Sequence, residues 1–199
     1  MARPQAADYD ARKGAIVEAA AALFAREGFA SASVAGIARR CKISKSLLYH
    51  YYQAKEDILH DVMISHVRAL ESTARAAIAD DTTPARKLRE LSHRFMALYV
   101  GAADRHKVLL NELDRLPKAR RAEIVAVQRR LIEIVQTLLI EIEPGLKRGS
   151  GRSFAAAMLF FGMINWTHTW FDAKGAMSAG ALAELAADLT LGGLARASG

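Results

Sequence analysis

Residues 28–55 set Arg39, Arg40, Lys42, Lys45 and Lys55 among Tyr49, Tyr51, Tyr52 and His50, with no Asp or Glu in the stretch. That set suits one kind of chemistry. Cations without neighbouring carboxylates offset phosphate charge, tyrosine rings pack on sugars while their hydroxyls reach phosphate, and short polar side chains on a helix reach base edges in the major groove. Catalytic arrangements are missing from the chain: there is no P-loop, no dinucleotide glycine fingerprint and no nucleophile elbow. His60, His66, His93, His106 and His168 are scattered, and no pair stands four residues apart. No catalytic residue, metal ligand or cofactor is expected, and the chain is not read as an enzyme.

Side chains of this kind need a helix to present them. Ser33 is a good N-cap for a helix carrying Val34, Ile37, Ala38 and Cys41 as one apolar stripe. Ser44 is the next N-cap, opening Lys45-Ser46-Leu47-Leu48-Tyr49-His50-Tyr51-Tyr52. Leu48 and Tyr52 are four apart and face a core, which turns Lys45, Ser46, Tyr49 and His50 outward, with Leu47 at the boundary. Leu47 either packs on a thymine methyl or extends the core beside Leu48. Lys55 starts the following helix, where N-terminal N–H groups and its ammonium are expected to hold one phosphate.

The 199 residues carry a formal net charge of +7, unevenly placed. Residues 1–55 hold 9 Lys and Arg against 4 Asp and Glu, while the remaining 144 hold 19 against 17. The basic excess sits with the proposed DNA reader, which argues against a generally adhesive basic protein. Hydrophobic content of 52% and charged content of 25% are ordinary for a soluble globular chain. A single cysteine, Cys41, excludes an intrachain disulfide and reads as a small core residue. The polar start shows no secretory signal. The longest apolar run, Ala155 to Ile164, is about half of the roughly 20 residues a membrane span requires. The expected compartment is the cytoplasm, with no membrane partner.

Helical periodicity dominates throughout, and Pro4, Pro84, Pro117 and Pro144 fall where helices begin or end. The pattern predicts an all-α fold of nine helices: about 9–26, the two motif helices, 55–79, 84–102, 104–116, from Pro117 to about Leu139, 153–171 and 179–194. Residues 1–9 are expected to form a disordered tail, 10–55 a three-helix DNA-binding domain, and 56–199 a helical effector-binding and dimerisation domain.

The N-terminal motif resembles the TetR type of transcriptional repressor. The residues that carry the resemblance are Leu23-Phe24-Ala25-Arg26-Glu27-Gly28-Phe29, Ser33-Val34-Ala35-Gly36-Ile37-Ala38, Ile43 through Tyr52, and Lys55-Glu56. The chain departs from the family at Ser46-Leu47, where a pair such as Gly-Thr, or another small or polar pair, is common, so a base preference is not carried over. The resemblance implies a helix-turn-helix domain that reads a palindromic operator as a homodimer. The candidate DNA-contacting residues are Ser33, Ser44, Lys45, Ser46, Leu47, Tyr49, His50, Tyr51 and Lys55.

Helix 8 is apolar on most sides, so it must be covered on most sides. Helices 8 and 9 are therefore expected to pack against a second subunit, and the resemblance implies a four-helix dimer interface. The segment Phe161 to Phe171 with Lys174-Gly175 and Ser178, supported by Asn111-Glu112, Leu116-Pro117 and Gln128-Arg129-Arg130, also resembles regulators of fatty-acid and acyl-CoA degradation, though the proline expected before Gly175 is missing. A small hydrophobic effector such as a fatty acyl-CoA is implied. Candidate ligand-lining residues are Phe95, Met96, Tyr99, Met158, Phe161, Trp166 and Trp170, with Arg115, Lys118, Arg120 and Arg121 facing phosphate groups or simply solvent. Two rival readings are a regulator of efflux that senses drug-like compounds, and a helical protein-interaction module without DNA binding.

Overall fold

The computed structural model describes residues 3–147, 149 and 151–196. Among them are nine α-helices and no strand: α1 (Arg3–Glu27), α2 (Val34–Arg40), α3 (Lys45–Tyr51), α4 (Lys55–Ala79), α5 (Pro84–Gly101), α6 (Ala103–Asn111), α7 (Lys118–Ile142), α8 (Arg152–Asn165) and α9 (Ala179–Arg196). The helix starts follow local chemistry. The Ser33 and Ser44 hydroxyls each accept a backbone N–H at 3.0 Å, from Gly36 and Leu47. Thr83 caps α5, with Pro84 in the first turn. Gly28 ends α1 in the left-handed region at φ 76°, where a side chain would be strained.

Two helices depart from the sequence expectation. Helix α1 starts at Arg3, so residues 3–9, expected to be part of a disordered tail, are helical, while residues 1 and 2 lie outside the described residues. Pro4 is tolerated in a first turn, Ala6 and Ala7 favour helix, and Asp8 pairs with Arg12 one turn on at 3.1 Å. Helix α8 stops at Asn165, not Phe171, and passes into a 3-10 turn over Trp166–Thr169. There Thr167 Oγ1 donates to the Ile164 carbonyl at 2.6 Å and Thr169 Oγ1 to the Trp166 carbonyl at 2.8 Å, and His168 Nδ1 lies 2.7 Å from the Asn165 carbonyl. Side chains that bond nearby carbonyls compete with the helical ladder.

The chain forms two compact units, and their division is not at residue 55. One unit runs up to Val67 and also takes Asp104–Val125; the other takes Arg68–Ala103 and the residues from Ala126 onward. Helix α4 contributes its first half to one unit and its second half to the other. In the first unit, Ile16, Ala20 and Phe24 of α1 are buried with Ile37, Leu48, Ile58, Leu59 and Val62. In the second, Leu88, Leu91, Phe95 and Met96 of α5 share a core with Leu131, Val135 and Leu139 of α7, Phe160, Phe161 and Ile164 of α8, and Leu182, Ala183 and Ala186 of α9.

Candidate nucleic-acid interface

Helix α3 has a sealed back and an open front. Leu48 is wholly buried and Tyr52 nearly so, while Ser44, Lys45, Ser46, Tyr49 and His50 are exposed. Ser33 is exposed as well, and Leu47 and Tyr51 are half-buried. The back is fastened by the Tyr52 hydroxyl, which donates to Asp61 Oδ2 at 2.9 Å, and Lys13 reaches the same oxygen at 2.7 Å. Burial and the Asp61 charge push the Tyr52 phenol well above its ordinary pKa, so it stays protonated and donating.

The front keeps its cations available. Among the described residues, Arg39, Arg40, Lys42 and Lys45 take part in no ion pair, and Lys45 lies 5.7 Å from the centre of the Tyr49 ring. The turn between α2 and α3 is made by Lys42 at φ 56°, a left-handed position that any side chain occupies at a cost. The Ser33 and Ser44 oxygens accept their capping bonds, which leaves each O–H to donate outward.

Lys55 is placed differently from the sequence expectation. Its ammonium donates to the carbonyls of Phe29 at 2.7 Å, Ala32 at 2.9 Å and Ala30 at 3.4 Å, and lies 4.3 Å from the centre of the Phe29 ring. An ammonium has three donors, and the loop before α2 engages all three, so in this structure Lys55 clamps that loop. Glu112 closes the loop from another side, accepting the Phe29 N–H at 3.2 Å. Neither role was legible, because both depend on carbonyls and an amide presented by a loop.

Two histidines distant in the chain come together: His66 Nε2 and His106 Nδ1 are 3.2 Å apart, and both side chains are buried. Burial, with the Arg105 charge nearby, pushes His66 down to about 4. No group of three His, Cys, Asp or Glu among the described residues could hold a metal ion.

In the second unit the proposed ligand-lining set divides. Phe95, Met96, Tyr99 and Phe161 are buried and packed on one another, with Phe95 6.1 Å from both the Tyr99 and Phe161 rings. The Tyr99 hydroxyl donates to Asn165 Oδ1 at 2.7 Å. Met158, Trp166 and Trp170 are exposed by 43%, 65% and 57% and are not part of that cluster. The inward stripe of α8 is Ala157, Phe160, Phe161 and Ile164, which turns Met158 outward, and the two tryptophans follow the end of the regular helix. The arginines expected at phosphates are engaged: Arg120 pairs with Asp57, Arg121 with Asp114 at 2.9 Å, and Arg115 with Glu112 at 3.6 Å.

A cleft of about 330 Å³ opens elsewhere in this unit, floored by Ile78, Ile134 and Leu138 and rimmed by Arg75, Lys87 and Arg130 with Glu133 and Glu141. Glu71 fixes two of these cations, accepting from Arg130 Nε at 2.8 Å and from Arg75 Nη2 at 2.7 Å. The Arg130 guanidinium, and then Arg75, hold the Glu71 carboxyl down at about 2. A second recess, of about 490 Å³, lies on the outer side of α8 and α9, where Leu159, Met163 and Leu189 are exposed.

A wedge of exposed polar and basic side chains on a short, capped helix has the form of a DNA-reading element, and the chain's likeness to known proteins identifies its family. Residues 16–62 match the bacterial regulatory proteins of the tetR family, and residues 81–194 match the tetracyclin repressor-like C-terminal domain. The chain belongs to the tetR family. A TetR-family transcriptional regulator from Bordetella parapertussis 12822 is 40% identical, with a TM-score of 0.86 over 90% of this chain and 93% of that one. The structure of AibR in complex with isovaleryl coenzyme A and operator DNA is 26% identical, with a TM-score of 0.79 over 89% and 97%. The transcriptional repressor KstR2 of Mycolicibacterium smegmatis is 24% identical over 195 residues, 94% of this chain and 93% of its own length. As a tetR-family member the chain is a DNA-binding transcriptional regulator, and the reading as an interaction module without DNA gives way. Among the described residues no helix is long and apolar enough to cross a membrane.

Proposed function

We propose that the chain is a homodimeric repressor that holds a palindromic operator with two copies of α3 and releases it when a small amphiphilic effector occupies the C-terminal unit. The observation that carries this reading is the two-sided α3: Leu48 and Tyr52 anchor its back, while Lys45, Ser46, Tyr49 and His50 are exposed, and Arg39, Arg40, Lys42 and Lys45 form no ion pair among the described residues. A seven-residue helix covers few base pairs, so two-fold symmetry is needed to reach useful specificity. Dimerisation is supported by α8 and α9, on which Phe154, Met158, Leu159, Met163, Leu185 and Leu189 are exposed, with Leu159, Met163 and Leu189 around one recess. The proposed place of action is the cytoplasm, where bacterial DNA lies.

The effector reading draws on AibR, which is a relative in fold and binds an acyl coenzyme A, and on the α4, α5 and α7 cleft, where apolar Ile78, Ile134 and Leu138 lie among side chains of both charges. That cleft, not the packed Phe95–Phe161 cluster, is the proposed entry for a ligand. Helix α4 is the proposed connecting element, because the one helix carries Lys55 at its start and Arg75 and Ile78 at the cleft. A ligand acts only through unequal affinity for the DNA-bound and released arrangements. The test is binding-site selection from a random duplex pool, followed by titration of the selected operator over a salt series. A palindromic consensus bound with a steep salt slope is expected, and Lys45→Ala should lower that slope by about one unit. Selection of no consensus would end the proposal.

A further inference from the structure

The second turn of α1 carries Tyr9, whose ring stacks on Tyr51 with centroids 4.7 Å apart and planes at 29°. Tyr51 in turn meets His50 edge-on at 5.7 Å. One turn further along α1, Lys13 lies 5.6 Å from the centre of the Tyr52 ring and 2.7 Å from Asp61, the carboxylate that accepts the Tyr52 hydroxyl. Helix α1 is therefore fastened to the end of the recognition helix at two successive turns. At the lower of these, the Lys13 ammonium is engaged by Asp61. At the upper one, Tyr9 stays 41% exposed, so one part of the ring is spent on Tyr51 and the rest is open.

We propose that Tyr9 belongs to the DNA-binding surface. It holds Tyr51 and His50 in position and carries the α3 face onto α1, so that its open ring edge packs on the sugar–phosphate backbone flanking the bases read by α3. This rests on α3 being the reader. Local charge decides the type of contact. Asp8 and Asp10 flank Tyr9, and Arg12 is paired with Asp8 at 3.1 Å, so the surroundings of Tyr9 hold no excess of positive charge. The Tyr9 contribution is therefore stacking and ring packing, which salt does not screen, unlike the phosphate contacts of Lys45.

Fluorescence anisotropy with the selected operator, over a salt series, tests this. Tyr9→Ala weakens binding about three- to tenfold, the range of an aromatic pair, while the slope of log affinity against log salt stays at the unmodified value. Tyr9→Phe, which keeps the ring, recovers most of the loss. In a double-mutant cycle, Tyr9→Ala adds little once Tyr51→Ala is present, because the two rings act as a unit. Tyr9→Leu retains apolar bulk without the stack and replaces the alanine variant if that variant melts early. A role confined to stability would lower the melting temperature without this coupling. Unchanged operator affinity in Tyr9→Ala and Tyr9→Leu, or a loss fully additive with Tyr51→Ala, overturns the inference. Failure of the recognition-helix reading gives a different pattern, in which Lys45→Ala and Tyr49→Ala also leave operator binding intact.

Discussion

The Lys55 ammonium lies 2.7 Å from the Phe29 carbonyl oxygen and 2.9 Å from that of Ala32, so the first residue of α4 closes the loop that enters α2. A basic residue at a helix N-terminus beside a DNA-reading motif invites a phosphate assignment. The loop takes its donors instead, which gives Lys55 the proposed task of seating α2 and α3.

Lys55→Ala removes those bonds and leaves loop carbonyls without their donor. Hydrogen bonds from charged donors contribute roughly 1.5–3 kcal/mol each when shielded, and partial exposure lowers that, so a loss of about 2 kcal/mol is expected. Urea denaturation reads it directly. At temperatures where the variant remains folded, its salt slope for operator binding should match that of the unmodified protein. A slope lower by one unit at unchanged stability would return Lys55 to the phosphate backbone.

Lys42 separates strain from charge. Its φ of 56° penalises an L-residue with a side chain, and glycine removes that penalty. Lys42→Gly is expected to raise stability by about 0.5–1 kcal/mol, after allowing for the greater freedom of glycine in the unfolded chain. Operator affinity should fall at the same time, with a shallower salt slope, because an unpaired cation near the reader is lost. A variant that gained stability and kept its affinity would place Lys42 away from the DNA.

Half-burial of Leu47 leaves part of its side chain for a base and part for Leu48. Leu47→Asn is expected to change the selected consensus at one symmetric pair of positions, because a leucine that meets a thymine methyl is replaced by an amide that prefers adenine. Thermal melting should shift only slightly. An unchanged consensus with a loss of roughly 1–3 kcal/mol would assign the residue to the core.

His66 makes stability depend on pH. Its folded pKa of about 4 lies below the ordinary 6.5, so between those values the unfolded chain binds a proton that the folded chain refuses. Stability therefore rises with pH through this window: it is fully present above about pH 6.5 and falls as pH drops toward 4, by roughly 3 kcal/mol if His66 acts alone. Glu71, held at about 2, adds its own loss only below the ordinary carboxylate range. Urea midpoints at pH 7.5 and 5 should differ clearly, and His66→Leu should flatten the difference. An equal difference in that variant would shift the effect to other groups.

What could be read before the structure was local. Ser33, Ser44 and Thr83 announce helix starts through their own side chains, Gly28 announces a stop through its backbone, and Leu48 and Tyr52 reveal the back of α3 through spacing. The rest depends on partners remote in sequence. The contact of Tyr9 with Tyr51 joins residues 42 apart, and the role of Lys55 rests on loop carbonyls more than 20 residues away. On α8, apolar residues surround the helix, so spacing alone gives no phase, and Met158 and Phe161 looked equivalent. The packed structure turns Phe161 toward Phe95 and Met158 away. The early end of α8 is set by Thr167 and Thr169 bonding to carbonyls one turn back, a contest between side chain and backbone that periodicity does not register.

Trp166 and Trp170 are the chain's two tryptophans, and both stand exposed just past the end of α8. The helix-turn-helix unit contains neither. The protein's entire indole emission therefore comes from the second unit, just past the end of α8. A blue shift on raising protein concentration would report the covering of that aromatic corner, with no label attached. The two indoles thus offer an optical gauge of self-association that needs no label.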